Sequence, residues 1–478
     1  MDHRNNKTTT FGVIIGTRGI FNAELAAADR AKLLKVLNSE GFGAVIPDEG
    51  ETTRGGIETR KDAALCADLF KKRADDIDGI IVALPNFGDE LGIIETLRRS
   101  GLRVPILVQA SKDEISKVDI HSRRDAFCGK ISVCNNLYQY GYSFTDTAEH
   151  TEDPDSPVFL QDLRRFAAIC RTVKGMKNAR IGMIGTRPDA FQTVRFSEKI
   201  LQAYGITVVP VDLSWIFARA RGLGDGDVDL AAKVEGIRAY GRIPDRIPRE
   251  HLLRSARFSV AVERWLDEQE CTASAVQCWN SIQLNYGCAA CLTMSMLSNA
   301  LRPSACEVDV TGALSMLALS LAGNRPAALL DWNNNYGNET DKCVNTHCSN
   351  FPKDFIADEV EISELDLLGE DLGRENSFGA IKGIVKAGPA TFLRLTTDDK
   401  RGVIKGYAGE GSFTDDPFAM DGGIAVVQVP RLRELLGYIC KNGFEHHVAM
   451  TRGQVGSVLE EALGNYLGWD MAVHGKNQ

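Results

Sequence analysis

Long apolar runs, a basic excess, nucleotide-binding glycine motifs and a second C-x-x-C pair to complete a four-cysteine motif are all missing from this 478-residue chain. No charge-free apolar stretch reaches about eighteen residues, so no membrane span is expected. Lys and Arg number 55 against 64 Asp and Glu, a net charge of −9 that argues against a general nucleic-acid binder. The opening MDHRNNKTTTFGVIIG has no apolar core after its basic residues, so no secretory leader is expected. Neither G-x-G-x-x-G nor G-x-x-x-x-G-K-[ST] occurs, which removes two common nucleotide signatures. Of twelve cysteines, only Cys288 and Cys291 are spaced C-x-x-C, with no second pair. They read as small residues at a helix start, and the others as reduced, mostly buried thiols, rather than zinc or redox centres. A cytoplasmic protein is the expectation.

What is present is ordinary globular material, 44% hydrophobic and 25% charged, enough for two to four domains. FGVII, FGAVIP, DGIIVALP and VPILVQA are short apolar β-type runs, and AELAAADRAKLLKVLNSEG and RKDAALCADLFKKRADDI between them carry helical periodicity. Buried strands alternating with amphipathic helices predict a parallel, doubly wound α/β sheet. Polar residues with Pro154 and Pro157 mark a boundary near 150–160. A second α/β pattern follows, with strands in ARIGMIGTRP and GITVVPVDLSWIF, then a mainly helical stretch from 250 to 325 with strand-like pieces at ASAVQCWN and SACEVDV. Beyond residue 328 the texture turns to alternating Gly, Val, Ile and Thr, typical of antiparallel strands in a barrel or sandwich. The expected division is 1–158 (α/β), 159–327 (a second doubly wound α/β unit with part of the site) and 328–478 (β-rich, barrel-like, completing the site).

With only eight histidines (His3, His121, His150, His251, His347, His446, His447 and His474), their placement is informative. His446 and His447 form a pair in GFEHHVAMTRGQVG, and His347 sits in CVNTHCSNFP. ALLDWNNNYG ends an apolar run abruptly at Asp331, and CEVDVTGALSMLALSLAG puts Glu307 and Asp309 at the mouth of an otherwise apolar helix. An acid at the end of a buried strand is a common place for a functional group in α/β enzymes. One Glu, one Asp and one or two His suit an octahedral divalent ion of the Mn²⁺ kind, whereas thiolate-rich sets suit zinc. The bland alternatives are a solvated helix cap for Glu307 and Asp309, a loop histidine at 347, and one core and one exposed histidine at 446–447. Arg18, in the turn GTRG after the first strand, is a candidate ligand contact or a surface arginine.

In order along the chain, these segments resemble the L-fucose isomerase/L-arabinose isomerase family of metal-dependent ketol isomerases. The family pattern has a Glu opening a small-residue apolar helix, a metal-binding Asp on the following strand, and a paired histidine before an apolar strand and a G-x-x-G turn. The resemblance implies Glu307 and Asp331 as acid/base groups and metal ligands, His447 as a ligand, and His446 as a substrate contact. His347, after the Asp, is more like the additional ligand of arabinose isomerases. Gln277 and Arg18 fall on substrate-contact positions, with Trp279, Asn280, Asn86 and Phe87 near the sugar's far end, the last two from a neighbouring subunit. Asp309 is read as a cap or supporting acid. By the same resemblance the cofactor is Mn²⁺, with Mg²⁺ or Co²⁺ as alternatives. The reaction passes through a cis-enediol, the substrate is fucose-like, arabinose-like or a 6-substituted hexose, and the assembly is a homotrimer or homohexamer with active sites between subunits. The chain departs from the family in being shorter and in lacking obvious aromatic contacts in its C-terminal part. The competing class is a non-catalytic sugar-binding protein of two α/β lobes, which needs no such ligand set.

Overall fold

The computed structural model describes residues 8–119 and 121–475, so most of the segment in which no leader is expected lies outside the described residues. The chain packs as two compact units, one running to Lys174 and including Glu461–Gly468, the other comprising Gly175–Glu460 and the segment from Trp469. Of the expected second and third parts, 175–327 and 328–460 with the segment from Trp469 fall in the larger unit, while 159–174 and Glu461–Gly468 pack with the N-terminal one.

The N-terminal unit is a five-stranded parallel sheet of β1 (Thr10–Ile15), β2 (Gly43–Val45), β3 (Gly79–Leu84), β4 (Ile106–Ala110) and β5 (Thr145–Asp146), ordered β2-β1-β3-β4-β5. Successive residues of a strand face opposite sides, so Ile14, Ile80 and Val82 pack with Ala63, Phe70, Ile93 and Val133 on one face. Phe11, Val13 and Ile81 pack with Leu33, Leu37, Phe159 and Phe166 on the other. Both faces being covered explains why these strands read as continuous apolar runs. Gly129 lets the helix Ala126–Gln139 approach the loop after β3, since a Cβ there would lie 1.9 Å from the Phe87 carbonyl oxygen.

The larger unit begins with a second parallel sheet, β6 (Arg180–Ile184), β7 (Thr207–Val211), β8 (Ala273–Val276) and β9 (Ser304–Ala305), ordered β7-β6-β8-β9. The expectation that strand continues through GITVVPVDLSWIF is corrected: it stops at Val211, where Asp212 accepts from the Ser214 amide and starts the helix Leu213–Gly222. An Asp N-cap satisfies an otherwise orphaned amide and outweighs the β propensity of Trp and Ile.

The rest is a ten-stranded, mostly antiparallel sheet: β10 (Ala327–Asp331), β11 (Asn334–Tyr336), β12 (Glu339–His347), β13 (Glu361–Glu364), β14 (Phe378–Ile384), β15 (Gly388–Asp398), β16 (Val403–Phe413), β17 (Gly423–Gln428), β18 (His447–Arg452) and β19 (Asp470–Val473). Its main path is β10-β18-β15-β16-β17-β12-β11. Between the two sheets of this unit runs the helix Val310–Gly323, packed against β8 and β9 on one side and β10, β15 and β18 on the other. All of it is buried apart from Leu321 and Gly323. A helix apolar all round must be buried on every side, and this one therefore locks the two sheets in one frame. Among the described residues no helix is long and apolar enough to cross a membrane.

Candidate active site

Glu307 follows β9 by two residues, and the chain turns sharply there. Glu307 and Val308 both adopt left-handed conformations, φ +58° and +57°. Such backbone costs on the order of 1–3 kcal/mol per non-glycine residue, and a β-branched residue there is a genuine outlier. The turn is pinned by the Val308 amide donating to Val276 O (3.2 Å) and the Asp309 amide donating to Cys306 O (2.9 Å). Asp309 then caps the central helix, accepting from the Gly312 amide at 2.8 Å. Gly312 makes this possible, since a Cβ there would lie 2.5 Å from Asp309 Oδ2.

Asp331 is the last residue of β10 and stands directly opposite His447, the first residue of β18. His347 is the last residue of β12. His447 Nε2 lies 3.2 Å from Glu307 Oε2 and 3.6 Å from Asp331 Oδ1, and His347 Nδ1 lies 3.2 Å from Asp331 Oδ1. Trp279 Nε1 donates to Glu307 Oε1 at 3.4 Å. His446 is half-exposed, its Nε2 3.8 Å from Asp331 Oδ1, with Phe191 6.3 Å away and Trp279 in turn 5.4 Å from Phe191 between ring centroids.

Behind this group is a buried ionic chain. His447 Nδ1 pairs with Asp309 Oδ2 at 2.8 Å. Arg394, fully buried on β15, donates to both Asp309 oxygens (2.5 and 3.1 Å), to Thr311 Oγ1 (2.9 Å) and to Glu445 Oε2 (3.0 Å). Thr396 donates to the other Glu445 oxygen. An ionised Asp309 can only accept, so His447 carries its proton on Nδ1 and presents Nε2 to Glu307 and Asp331. The solvated-cap reading of Asp309 is thus corrected: it caps, but buried and paired.

The charges follow this geometry. Burial opposes ionisation of Asp309, yet Arg394 and the His447 hydrogen bond hold it well below the usual carboxylate range. Asp331 is also lowered; burial alone would raise it, and the charges of His347, His447 and His446 outweigh that. Burial by itself would lower His347, but Asp331 beside it pushes it up to about 10. His447 rises to about 9, its burial outweighed by the hydrogen bond to Asp309 and by the Glu307 carboxylate beside Nε2. His446 is lowered, by burial first and then by the charge on His447.

Four buried atoms here have no hydrogen-bond partner among the described residues: Glu307 Oε2, Asp331 Oδ1, His347 Nε2 and His447 Nε2. Buried polar atoms are normally satisfied, and carboxylate and imidazole atoms left without partners are of the donor types that can hold a divalent cation. One ligand atom each from Asp331, His347 and His447, and likewise from Glu307, His446 and His447, lies within 4.8 Å of the others.

The remaining sequence candidates are placed as follows. Gln277 follows β8 at the point where the β7-β6-β8-β9 order reverses, accepting from the Thr186 amide at 3.0 Å and lining a cavity of about 790 Å³ with Gly185, Asp212 and Ser281. Ligands of open α/β sheets bind at such reversal points. Asn280 is exposed. Arg18 lies in the N-terminal unit, at its own reversal point between β1 and β3. Its amide donates to Asn86 Oδ1 (3.2 Å), and its guanidinium lies 4.3 Å over the Phe87 ring. Sequence reading missed Arg394 and Glu445. The available signal was Arg394 in FLRLTT, at an inward position between Phe392 and Thr396, where an arginine needs a buried acid.

Removing one partner of this buried chain leaves uncompensated charge, which costs on the order of 3–5 kcal/mol. Arg394→Met is therefore expected to lower unfolding stability by about that amount, read as a fall in the urea midpoint at constant slope. A midpoint within error of wild type would show that the chain does not hold the core.

Two family models match this chain. The N-terminal domain of the fucose/sulfoquinovose isomerases matches residues 12–177, and the C-terminal domain of L-fucose isomerase matches residues 345–474, together more than half its length. Sulfoquinovose isomerases of Priestia aryabhattai and Priestia megaterium are each 24% identical over 476 residues, 98% of this chain and 99% of theirs. That of Alkalicoccus urumqiensis is 25% identical over 333 residues, 68% of this chain and 70% of its own. A solved solute-binding protein of Burkholderia multivorans, 11% identical and covering 67% of this chain and 95% of its own, superposes with a TM-score of only 0.17 and carries no fold argument. The chain belongs to the L-fucose isomerase family, and so to the aldose–ketose isomerases, intramolecular oxidoreductases by reaction class.

Proposed function

We propose that this protein is a divalent-metal-dependent isomerase of a 6-sulfonated hexose, interconverting the aldose and the ketose. The observation that carries the metal is the set of four unpartnered buried atoms on Glu307, Asp331, His347 and His447. The named relatives support the sulfonated substrate. Mn²⁺, or Mg²⁺ or Co²⁺ in its stead, would supply Lewis-acid polarisation of the sugar carbonyl and hydroxyl.

The residues divide the remaining work. Glu307 and Asp331 are the two acid/base groups: one takes the proton at C2 and returns it at C1, the other moves the hydroxyl proton between O2 and O1, through a cis-enediol. Asp309, braced by Arg394, fixes the His447 ring. Phe191, Trp279 and His446 wall the open side and limit water, which keeps the carboxylates effective as bases. Gln277, Trp279, Asn280, His446 and Arg18 are the proposed sugar contacts. A cytoplasmic location and a homotrimer or homohexamer with active sites between subunits belong to the same proposal.

The sulfonate has a specific candidate seat. Arg187 and Arg195 line a cavity of about 180 Å³ together with Val308, the residue after Glu307. Among the described residues their side chains donate only to backbone carbonyls of their own loop, those of Pro188, Asp189 and Gln192, and they form no ion pair. Arginine's planar fork suits a sulfonate, as it does a phosphate.

Three outcomes are expected. First, chelator-treated protein should lose sulfoquinovose isomerisation and regain it with Mn²⁺, and Glu307→Gln or Asp331→Asn should lower kcat by about 10²–10⁴-fold. Sugar binding without any metal-restored turnover would move the chain to the sugar-binding class.

Second, metal uptake should displace protons. The group holds four carboxylates (Glu307, Asp309, Asp331, Glu445) and one guanidinium (Arg394), a formal charge of −4 + 1 = −3. In the metal-free chain His447 and His347, raised to about 9 and 10, carry two protons at pH 7. A raised folded-state value stabilises fully below the unfolded pKa and is lost as pH climbs through 9–10. A divalent ion replaces both protons charge for charge, so apparent Mn²⁺ affinity should rise by up to about 100-fold per pH unit between 7 and 9. Calorimetry in buffers of different ionisation enthalpy reads the proton count directly; zero protons released would overturn the ligand set.

Third, the double variant Arg187→Met/Arg195→Met should raise KM for the sulfonated sugar about tenfold or more, since hydrogen bonds to charged groups are worth roughly 1.5–3 kcal/mol. Turnover of a neutral hexose should be unchanged. An equal effect on both sugars would remove these arginines from the tail site.

A further inference from the structure

Three thiols have no part in the reading above. Cys278, Cys306 and Cys348 come from three separate segments, after β8, after β9 and after β12, and their sulfurs all lie within 4.8 Å of one another. They meet where the parallel and antiparallel sheets of the larger unit adjoin, within the apolar cluster of Phe258, Cys288 and Leu365. Cys278 and Cys306 are buried and Cys348 is half-buried. All twelve cysteines are free thiols. The Cys348 backbone is anchored by Cys291, whose thiol donates to the Cys348 carbonyl at 2.6 Å.

The donor set selects a ligand class. Three sulfurs within 4.8 Å of one another are near enough to share one ion, which at sulfur–ion bonds of about 2.3 Å holds them no more than about 4.0 Å apart. Structural zinc wants a fourth protein donor, and this group has three. Thiolates prefer soft ions. A monovalent soft ion on three thiolates would leave two negative charges buried next to Glu307, which is costly, whereas a trivalent one leaves none. We infer that Cys278, Cys306 and Cys348 form a binding site for a trivalent thiophilic metalloid, with arsenite as the type ligand.

The exchange balances without a redox partner. Arsenite, As(OH)₃, meets three thiols; three As–O bonds break and three As–S bonds form. Each thiol proton leaves with a hydroxyl as water, and arsenic stays trivalent. Each of the three cysteines is the chain neighbour of a residue of the proposed isomerase site: Cys278 lies between Gln277 and Trp279, Cys306 precedes Glu307, and Cys348 follows His347. If that reading holds, capture draws Glu307 and His347 from their places and inhibits turnover. The site itself does not depend on it.

The test uses the reduced full-length chain and sodium arsenite, with arsenic per chain measured by elemental analysis after desalting and the sulfur–arsenic absorption followed in the near ultraviolet. The expected result is one tightly held arsenic per chain. Cys348→Ala and Cys278→Ser should each weaken retention by about 10² or more, the scale on which a linked third contact acts, while Cys440→Ala should leave it unchanged. The two cluster variants differ in burial, so a folding failure in one leaves the other informative. No retained arsenic, or retention equal in Cys348→Ala and wild type, would overturn the inference. Because the readout is metal content, failure of the isomerase assay leaves it standing.

Discussion

The buried pair of Arg394 and Asp309 holds the rest of the larger unit in place. Asp309 begins the central helix, Arg394 projects from β15, and His447 begins β18, so three elements distant in sequence meet at one carboxylate. Taking a guanidinium out of water costs several kcal/mol, and the offset here comes from a two-pronged pair with Asp309 and from bonds to Thr311 and Glu445. Apolar residues of similar volume would stabilise that core as well or better. What they would lack is direction. An aliphatic contact leaves an imidazole free to rotate, whereas an acceptor held on two sides fixes which nitrogen carries the proton and where the other points.

That fixed direction accounts for much of the site's electrostatics. Asp309 and Glu445 exceed Arg394 by one negative charge, and Glu307 and Asp331 add two more within reach of the two histidine rings. Such a concentration of acid in a buried place attracts cations of any kind. The acids around them favour protons on His447 and His347, which is why both imidazoles rise despite burial that would lower them. His446, on the exposed side, has the opposite sign because burial and its charged neighbour both act against protonation. Two adjacent histidines are thus driven apart by position: one aims inward from a strand, and the other faces the opening with Phe191.

How far this was legible in the chain depends on locality. The N-terminal sheet was readable because strands buried on both faces are continuous apolar runs, and Glu307 and Asp331, which the fold brings to the same histidine, stood out as candidates because each breaks an apolar segment abruptly. The helix at Leu213 was misread as strand because a single Asp cap outweighed two β-prone residues. Asp309 was under-read because its partners lie 85 and 138 residues away. The three-thiol cluster was invisible for the same reason: no spacing rule links Cys278, Cys306 and Cys348, which converge only once β8, β9 and β12 have found their sheets. The C-x-x-C pair, the motif that sequence rules do flag, is absent from that cluster, with Cys291 serving only as a donor to the Cys348 carbonyl.

The left-handed backbone at Glu307 and Val308 has a physical reason once the site is in view. A chain leaving β9 for the central helix has to reverse within four residues, and glycine would allow this without strain. Glycine at 307, however, has no carboxylate, and at 308 it would loosen the turn that holds that carboxylate. Two strained residues persist because the surroundings fix them on both sides: Cys306 and Val276 carbonyls before the helix, and the Asp309 cap within it. Strain of this kind at a candidate acid/base residue is the expected consequence of placing an acid by backbone geometry instead of by a long, mobile side chain. It also explains why the acid at the mouth of the helix is not simply a cap: the cap position two residues later is filled by Asp309, which leaves Glu307 to face the histidines.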